Sequence, residues 1–178
     1  MRFAFILLLS ATVSPAADPP KKEWVKVAPA GGGFQILFPG KPAESSRPPN
    51  ISDPSRATQL FTLEAAKNYL FIASYLDLNS TPPAKDKEMK ALEAVRDSQA
   101  AKLKGEVLKD IVVVRNGLSG RQYTMKIAAN LYYRSVIFLK GRRVFQAYVL
   151  GSEAEITGKD VEKFLNSLEI LSDADEKK

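Results

Sequence analysis

Residues Gly141–Ile170, GRRVFQAYVLGSEAEITGKDVEKFLNSLEI, decide the architecture of this chain. Val144 to Leu150 reads as a strand, and a basic turn stands at its front edge. Thr157, Gly158, Lys159 and Asp160 match a capping box, with Thr157 placed to accept the N–H of Asp160. Val161, Phe164, Leu165 and Leu168 then fall at i, i+3, i+4 and i+7, the spacing of a helix with one buried face. A strand followed by a one-sided helix predicts a sheet that the helix covers.

Upstream, strand candidates follow one another: Glu106–Arg115, Arg121–Ala128 and Leu131–Leu139. Their links, NGLSG, AN and KGR, are too short for parallel crossovers, so the strands are expected to form antiparallel hairpins. In Leu131–Lys140 one face carries Leu131, Tyr133, Ile137 and Leu139, and the other Tyr132, Val136 and Phe138. Such a strand needs cover on both sides. The segment from the double proline at 82–83 to Gly105 supplies a second helix. Met89, Leu92 and Val95 give it an apolar stripe that Gln99 thins, and its charged faces read as solvated.

Nearer the start, EWVKVAP and GFQILFP read as two short strands around a turn at Gly31–Gly33. KPAESSRPPNISDPS carries four prolines and reads as a long surface loop, because proline donates nothing to a ladder. Arg56–Glu64 and Asn68–Asp77 are further strands. The fold class expected is α+β: a mainly antiparallel β-sheet of six to seven strands covered by helices, over residues 23–172.

The first residues, MRFAFILLLSATVSPAADPP, have a basic start at Arg2, an apolar run from Phe3 to Leu9 and small residues before a cut. They read as a signal peptide of residues 1–17, cleaved after Ala16 or Ala17, since the apolar run is far short of the ~20 residues a span needs. A polar lead-in, 18–22, follows, and the charged end 173–178 is expected to be disordered. Removing 17 of 178 residues leaves 161 and takes one positive charge, so +6 becomes +5. That balance favours anionic surfaces, but the mixed signs argue against a dedicated nucleic-acid reader.

The chain has neither cysteine nor histidine. Disulfides, thiolate metal sites, thiol catalysis and a lipid anchor on cysteine are thereby excluded, and the usual near-neutral base and metal ligand are missing. No cofactor is expected, and no phosphate loop is present, since Gly31–Gly33 lacks a following helix. Asp53, Glu64, Asp77 and Asp110 are scattered carboxylates that no spacing brings together; a hydrolase using carboxylates alone is the alternative to a binding role. Asp86, Glu88 and Glu93 have no metal-loop spacing. The sequons at Asn50 and Asn79 matter only in a host that glycosylates exported proteins.

Three patterns together resemble an uncharacterised exported bacterial domain family: Pro39, Gly40 and Pro42 after the second strand; Gly120 and Arg121 opening a hairpin strand; Phe145, then Phe164 and Ser167 near the end. Their order is also similar to the PsbP-like fold of the photosystem II extrinsic protein, an antiparallel sheet between helices (an α/β/α sandwich). The resemblance spans about Trp24–Leu171. Gln122 departs from it, standing where the family often has an acid, so no carboxylate role carries over there.

The cations of Arg134, Lys140, Arg142 and Arg143 lie among Tyr132, Tyr133, Phe138 and Tyr148. They form either a hairpin tip that is polar because tips are solvated, or a site that meets a phosphate or acidic glycan through guanidinium contacts. The reading is of an exported, periplasmic or secreted, non-catalytic accessory or binding module. An envelope protein or anionic polymer is its expected partner, with no specific nucleic acid, no transmembrane span and a monomeric state.

Overall fold

A computed structural model describes residues 23–47, 58–78 and 81–172. The expected signal peptide, lead-in, cleavage site, charged end, both sequons and Asp53 lie outside the described residues.

The central element is β8 (Leu131–Lys140), flanked by β7 (Leu118–Ala128) and β9 (Arg143–Gly151). Its alternation works on both faces. Tyr132, Val136 and Phe138 enter one core, whereas Tyr133, Ile137 and Leu139 enter another, all at most 9% exposed. β6 (Glu106–Arg115) continues the sheet beyond β7, and β5 (Tyr69–Asp77), β4 (Thr58–Ala66) and β3 (Ala43–Arg47) extend it beyond β9. The seven strands run in the order β3-β4-β5-β9-β8-β7-β6, every neighbouring pair antiparallel.

One face is covered by α1 (Glu88–Leu103), which follows a 3-10 turn at Lys85–Lys87. Leu92 is fully buried there, with Met89 and Val95 packed against the same core. Gln99, which interrupts the apolar stripe, is a polar plug. Its amide oxygen accepts from the Tyr123 hydroxyl and from Tyr133 Oη at 2.9 Å, and its amide exchanges bonds with Gln146 at 2.9 and 3.0 Å. Gln146 also donates to Ser135 Oγ at 3.1 Å, so the buried polar atoms under α1 satisfy one another. Burial pushes the Tyr123 phenol up to about 12 and Tyr133 well above the ordinary range, which keeps both protonated as donors.

The other face is covered by α3 (Lys159–Asn166) and by a second small sheet, β1 (Val25–Val27), β2 (Phe34–Phe38) and β10 (Glu169–Ile170), ordered β1-β2-β10. Val161, Phe164 and Leu165 of α3 are fully buried, as the spacing requires. Phe164 meets Phe38 and Phe71 edge-on, with centroids 4.9 and 5.2 Å apart. The fold is α+β, a mainly antiparallel sheet covered on both faces.

Four local expectations are corrected. Ala43–Arg47 is an edge strand inside the proline-rich stretch: its five residues contain no proline, and pairing with β4 alone asks for a ladder on one side only. Thr157 does not cap α3. The capping box belongs to Ser152 and Glu155 of the one-turn α2 (Glu153–Ile156), while the Thr157 hydroxyl donates back to the Glu153 and Ala154 carbonyls and Gly158 begins α3. β7 begins at Leu118, because Asn116 and Gly117, with φ of 48° and 78°, close the hairpin in two residues. The helix expected to run through Leu168 ends at Asn166, and Glu169–Ile170 pairs with β2 as β10, an element too short to leave a periodic signal.

Three of the residues that carried the resemblance, Gly120, Phe164 and Ser167, are packing devices. A Cβ on Gly120 would stand 2.5 Å from the Phe138 ring and from the Ile137 carbonyl, so only glycine fits. Ser167 Oγ donates to the Phe164 carbonyl at 2.7 Å and accepts from the Leu37 N–H at 2.9 Å, pinning the end of α3 to β2. Phe164→Ala is expected to lower unfolding free energy by about 3–5 kcal/mol. Denaturant titration followed by Trp24 fluorescence checks it, since Lys163 of α3 lies 4.1 Å over that ring. A loss under about 1.5 kcal/mol would show that α3 does not seal this face.

Candidate functional site

The four cations expected to act together divide into two groups. Lys140, Arg142 and Arg143 share the β8–β9 turn, whereas Arg134 sits six residues back along β8, roughly 20 Å away at a strand's rise per residue. Arg143 grips Asp77 with Nε and a terminal nitrogen at 2.6 and 2.8 Å, reaches the Gly31 and Gly32 carbonyls at 2.6 and 3.3 Å, and lies 4.5 Å over Tyr75. It ties β5, β9 and the glycine turn together. Lys140 Nζ donates to the Leu171 carbonyl at 2.8 Å. Arg142 is exposed. Arg134 donates to the Ile156 carbonyl at 3.1 Å and pairs with Glu162 at 2.7 Å, linking β8 to the helical layer. The interleaved Tyr132, Tyr133 and Phe138 are core residues.

The scattered carboxylates stay apart. Asp77 serves Arg143, Glu64 is exposed on β4, and Asp110 lies between Arg121 and Arg96 on the α1 face. Arg121 reaches Asp110 at 2.5 Å and Glu93 of α1 at 2.8 Å. Hydrogen bonding from Arg143 holds the Asp77 carboxyl below its ordinary value against a smaller desolvation cost. For Asp110 burial raises the pKa most strongly as a single cause, but the two arginines together outweigh it and leave the carboxyl lowered. Among the described residues no group of three or more acidic side chains is arranged to hold a metal ion.

Two concave features remain. A cavity of about 690 Å³ lies between β2, the β6–β7 turn and the end of α3. Its polar groups are committed to one another: Arg115 donates to the Leu165 and Leu168 carbonyls and to Asn166, and Asn116 to Glu169. The second is a groove of about 340 Å³ between the outer strand β6 and α2, floored by Gln122, Thr124, Tyr132 and Arg134. Leu108 and Ile111 form one wall, and Ile156 with Thr157 the other. Glu153, which accepts from Tyr132 Oη at 3.3 Å, and Glu162 also face it. Gln122, the departure from the resembled pattern, is therefore a neutral floor residue here.

The groove opens onto a surface that sequence reading missed. Large exposed hydrophobics among the described residues are Val107, Leu108, Ile111, Val112 and Val114 of β6, and Leu103 just before it. Val112 and Val114 are 59% and 66% exposed. In the sequence this run resembles any covered strand. The adjacent charges Lys109 and Asp110 in its middle are the one sign that it is not interior.

No family model and no curated protein matches the chain. Solved structures do. The solution structure of cyanobacterial PsbP (CyanoP) from Synechocystis sp. PCC 6803 aligns with a TM-score of 0.61 at 9% identity, over 88% of this chain and 97% of that one. A crystal structure from Bacteroides thetaiotaomicron VPI-5482 aligns at 0.48 with 14% identity, over 84% of this chain and 49% of that one. At such identities the likeness concerns fold.

Both lowered carboxyls give the same pH dependence. With folded pKa values below unfolded ones, Asp77 and Asp110 add stability above about pH 4, and lose it as pH falls through the folded pKa. Denaturation midpoints between pH 7 and pH 3 should fall more steeply for the parent than for Asp77→Asn or Asp110→Asn. Equal slopes would mean that these ion pairs do not drive the acid response.

Proposed function

We propose that the chain is an exported, non-catalytic accessory module that binds a partner in the cell envelope. The observation that supports this is the concentration of exposed aliphatic side chains on β6, when monomeric surfaces rarely keep such residues contiguous. Export rests on the N-terminal pattern of a basic residue, an apolar run and small residues. Among the described residues no helix is long and apolar enough to cross a membrane. Mass spectrometry of chain released by the native host should find an N-terminus at Ala17 or Asp18; an intact Met1 terminus would remove the export reading.

Anionic contact through the cationic turn is part of the same proposal. Arg143, Lys140 and Arg134 all hold protein groups, so contact with a polyanion rests first on exposed Arg142. Arg142→Glu should elute from a dextran-sulfate column at clearly lower salt than the parent, with an unchanged thermal midpoint. Identical elution would sink the anionic contact and leave the rest of the reading standing.

The alternative, hydrolysis by carboxylates alone, draws on Glu153 and Glu162 in one groove. Glu162 is held by Arg134 at 2.7 Å in an ion pair that bridges β8 and α3. A binding role needs no change in that pair. Immobilised parent chain should retain an envelope protein that a Val112→Lys, Val114→Lys double variant does not. Equal retention by both would show that the β6 surface is not what the module binds with.

A further inference from the structure

We propose that β6 takes an extended segment of its partner as an eighth strand, antiparallel to it. Aliphatic residues of that segment lie along Ile111–Val114, and the acidic residues that follow them lie against Lys109. This rests on the binding role proposed above and names the chemistry of the partner.

Among the described residues the edge is open, and its hydrogen-bonding register is fixed. β6 pairs with β7 and ends the strand order. The two-residue turn makes Arg115 and Leu118 a bonded pair, and alternation then bonds Val113 to Gly120 and Ile111 to Gln122. The N–H and C=O groups of Asp110, Val112 and Val114 consequently point away from the sheet. Three consecutive outward peptide pairs make a template for a further strand.

The opposite edge is built differently. β3 reads AESSR directly after Pro42, which blunts it with polar residues. β6 has no proline, and a bulge between Val107 and Lys109 leaves the run from Asp110 to Val114 regular. The aliphatic side chains of Val112 and Val114 flank an incoming strand on the α1 side. On the other side the groove between Ile111 and Ile156 offers space for one of its side chains.

Charge identifies the occupant. Exposed Lys102, Lys104, Lys109 and Lys126 gather around the first half of β6 and outnumber the acids there: Glu106, Glu153 across the groove, and Asp110 and Glu162, which arginines hold. The second half exposes valines, and Arg115 is turned inward to the Leu165 and Leu168 carbonyls. An antiparallel partner therefore meets the valines first and the lysines last. A second copy of this chain fits less well. Two identical antiparallel strands related by a two-fold axis pair odd-numbered residues with odd-numbered ones, so Lys109 would face Lys109, Ile111, Val113 or Arg115 and never an acid.

The test uses the purified chain and three fluorescein-labelled octapeptides: alternating threonine and valine followed by two aspartates, the same followed by two lysines, and the same preceded by two aspartates. Fluorescence anisotropy should show the first binding at least tenfold tighter than the others, with affinity falling as salt rises. Val112→Pro removes an outward N–H without touching the ladder to β7, and should cost at least tenfold. Lys109→Glu, a surface change that keeps the fold, should reverse the preference between aspartate and lysine endings. Equal affinity for all three peptides, an unreversed preference in Lys109→Glu, or concentration-dependent dimers abolished by Val112→Pro would overturn the proposal. Equal peptide affinities together with partner retention lost in the double valine-to-lysine variant would discard strand addition and keep the binding role.

Discussion

Ile137 and Phe138 are neighbours in the chain, both are fully buried, and they point into different cores. That demand, an interior strand apolar on both faces, governs the rest of the molecule. A single helix hides one face of a sheet and no more, so β8 requires a layer on each side. α1 meets the demand on one face with a thin stripe and a polar network; α3 and the small sheet meet it on the other with aromatics. The asymmetry follows from composition. Gln99 cannot bury without partners, and Tyr123, Tyr133 and Gln146 supply them, with Ser135 in turn bonded to Gln146, which fixes where α1 sits along the sheet.

Arginine does the joining at the periphery. Arg143 bonds β9 to β5 and to the turn before β2, Arg134 bonds β8 to the helices, Arg115 bonds β6 to the end of α3, and Arg121 bonds β7 to β6 and α1. A planar guanidinium suits this work, because several donors satisfy carbonyls and carboxylates from different elements at once. The positive charge that reads as a reservoir for anions is in this way largely consumed in construction. A net charge counts ionised groups and is silent on which are engaged. The cationic turn shows the difference within three residues: Arg143 is held on several sides, and Arg142 stands in solvent.

The sheet was legible wherever a physical rule acts over short range. Short links imply hairpins, so the antiparallel pairing of β6 to β9 follows from NGLSG, AN and KGR, while the exact turns NG and GR appear only in the structure. The i, i+3, i+4 spacing of Val161, Phe164 and Leu165 fixes the buried face of α3. What escaped reading depends on long-range partners. Ala43–Arg47 is polar and framed by prolines, and it is a strand because β4 has a free side there. Thr157 and Ser152 both begin plausible capping boxes; Ser152 wins because the strand β9 ends at Gly151, where the first free turn begins. The pairing of β10 with β2 joins residues about 135 apart, beyond any local pattern.

The same distinction explains why the candidate surface hides in the sequence. Apart from Lys109 and Asp110 in its middle, EVLKDIVVVR is as apolar between its charged ends as an interior strand, and Leu131–Lys140 is one. Composition sets how strongly a strand seeks neighbours, whereas topology decides how many it finds. β9 finds β5 and β8, β8 finds β9 and β7, and the hairpin order leaves β6 last. A sequence that merely lacked a neighbour would be expected to soften this edge, as proline and serine soften β3. Instead its outward-pointing peptides are those of Asp110, Val112 and Val114, and its exposed charges, Glu106 and Lys109, stand in the first half. An edge that stays aliphatic, on a sheet whose other edge is polar, is the feature on which the proposed strand addition rests.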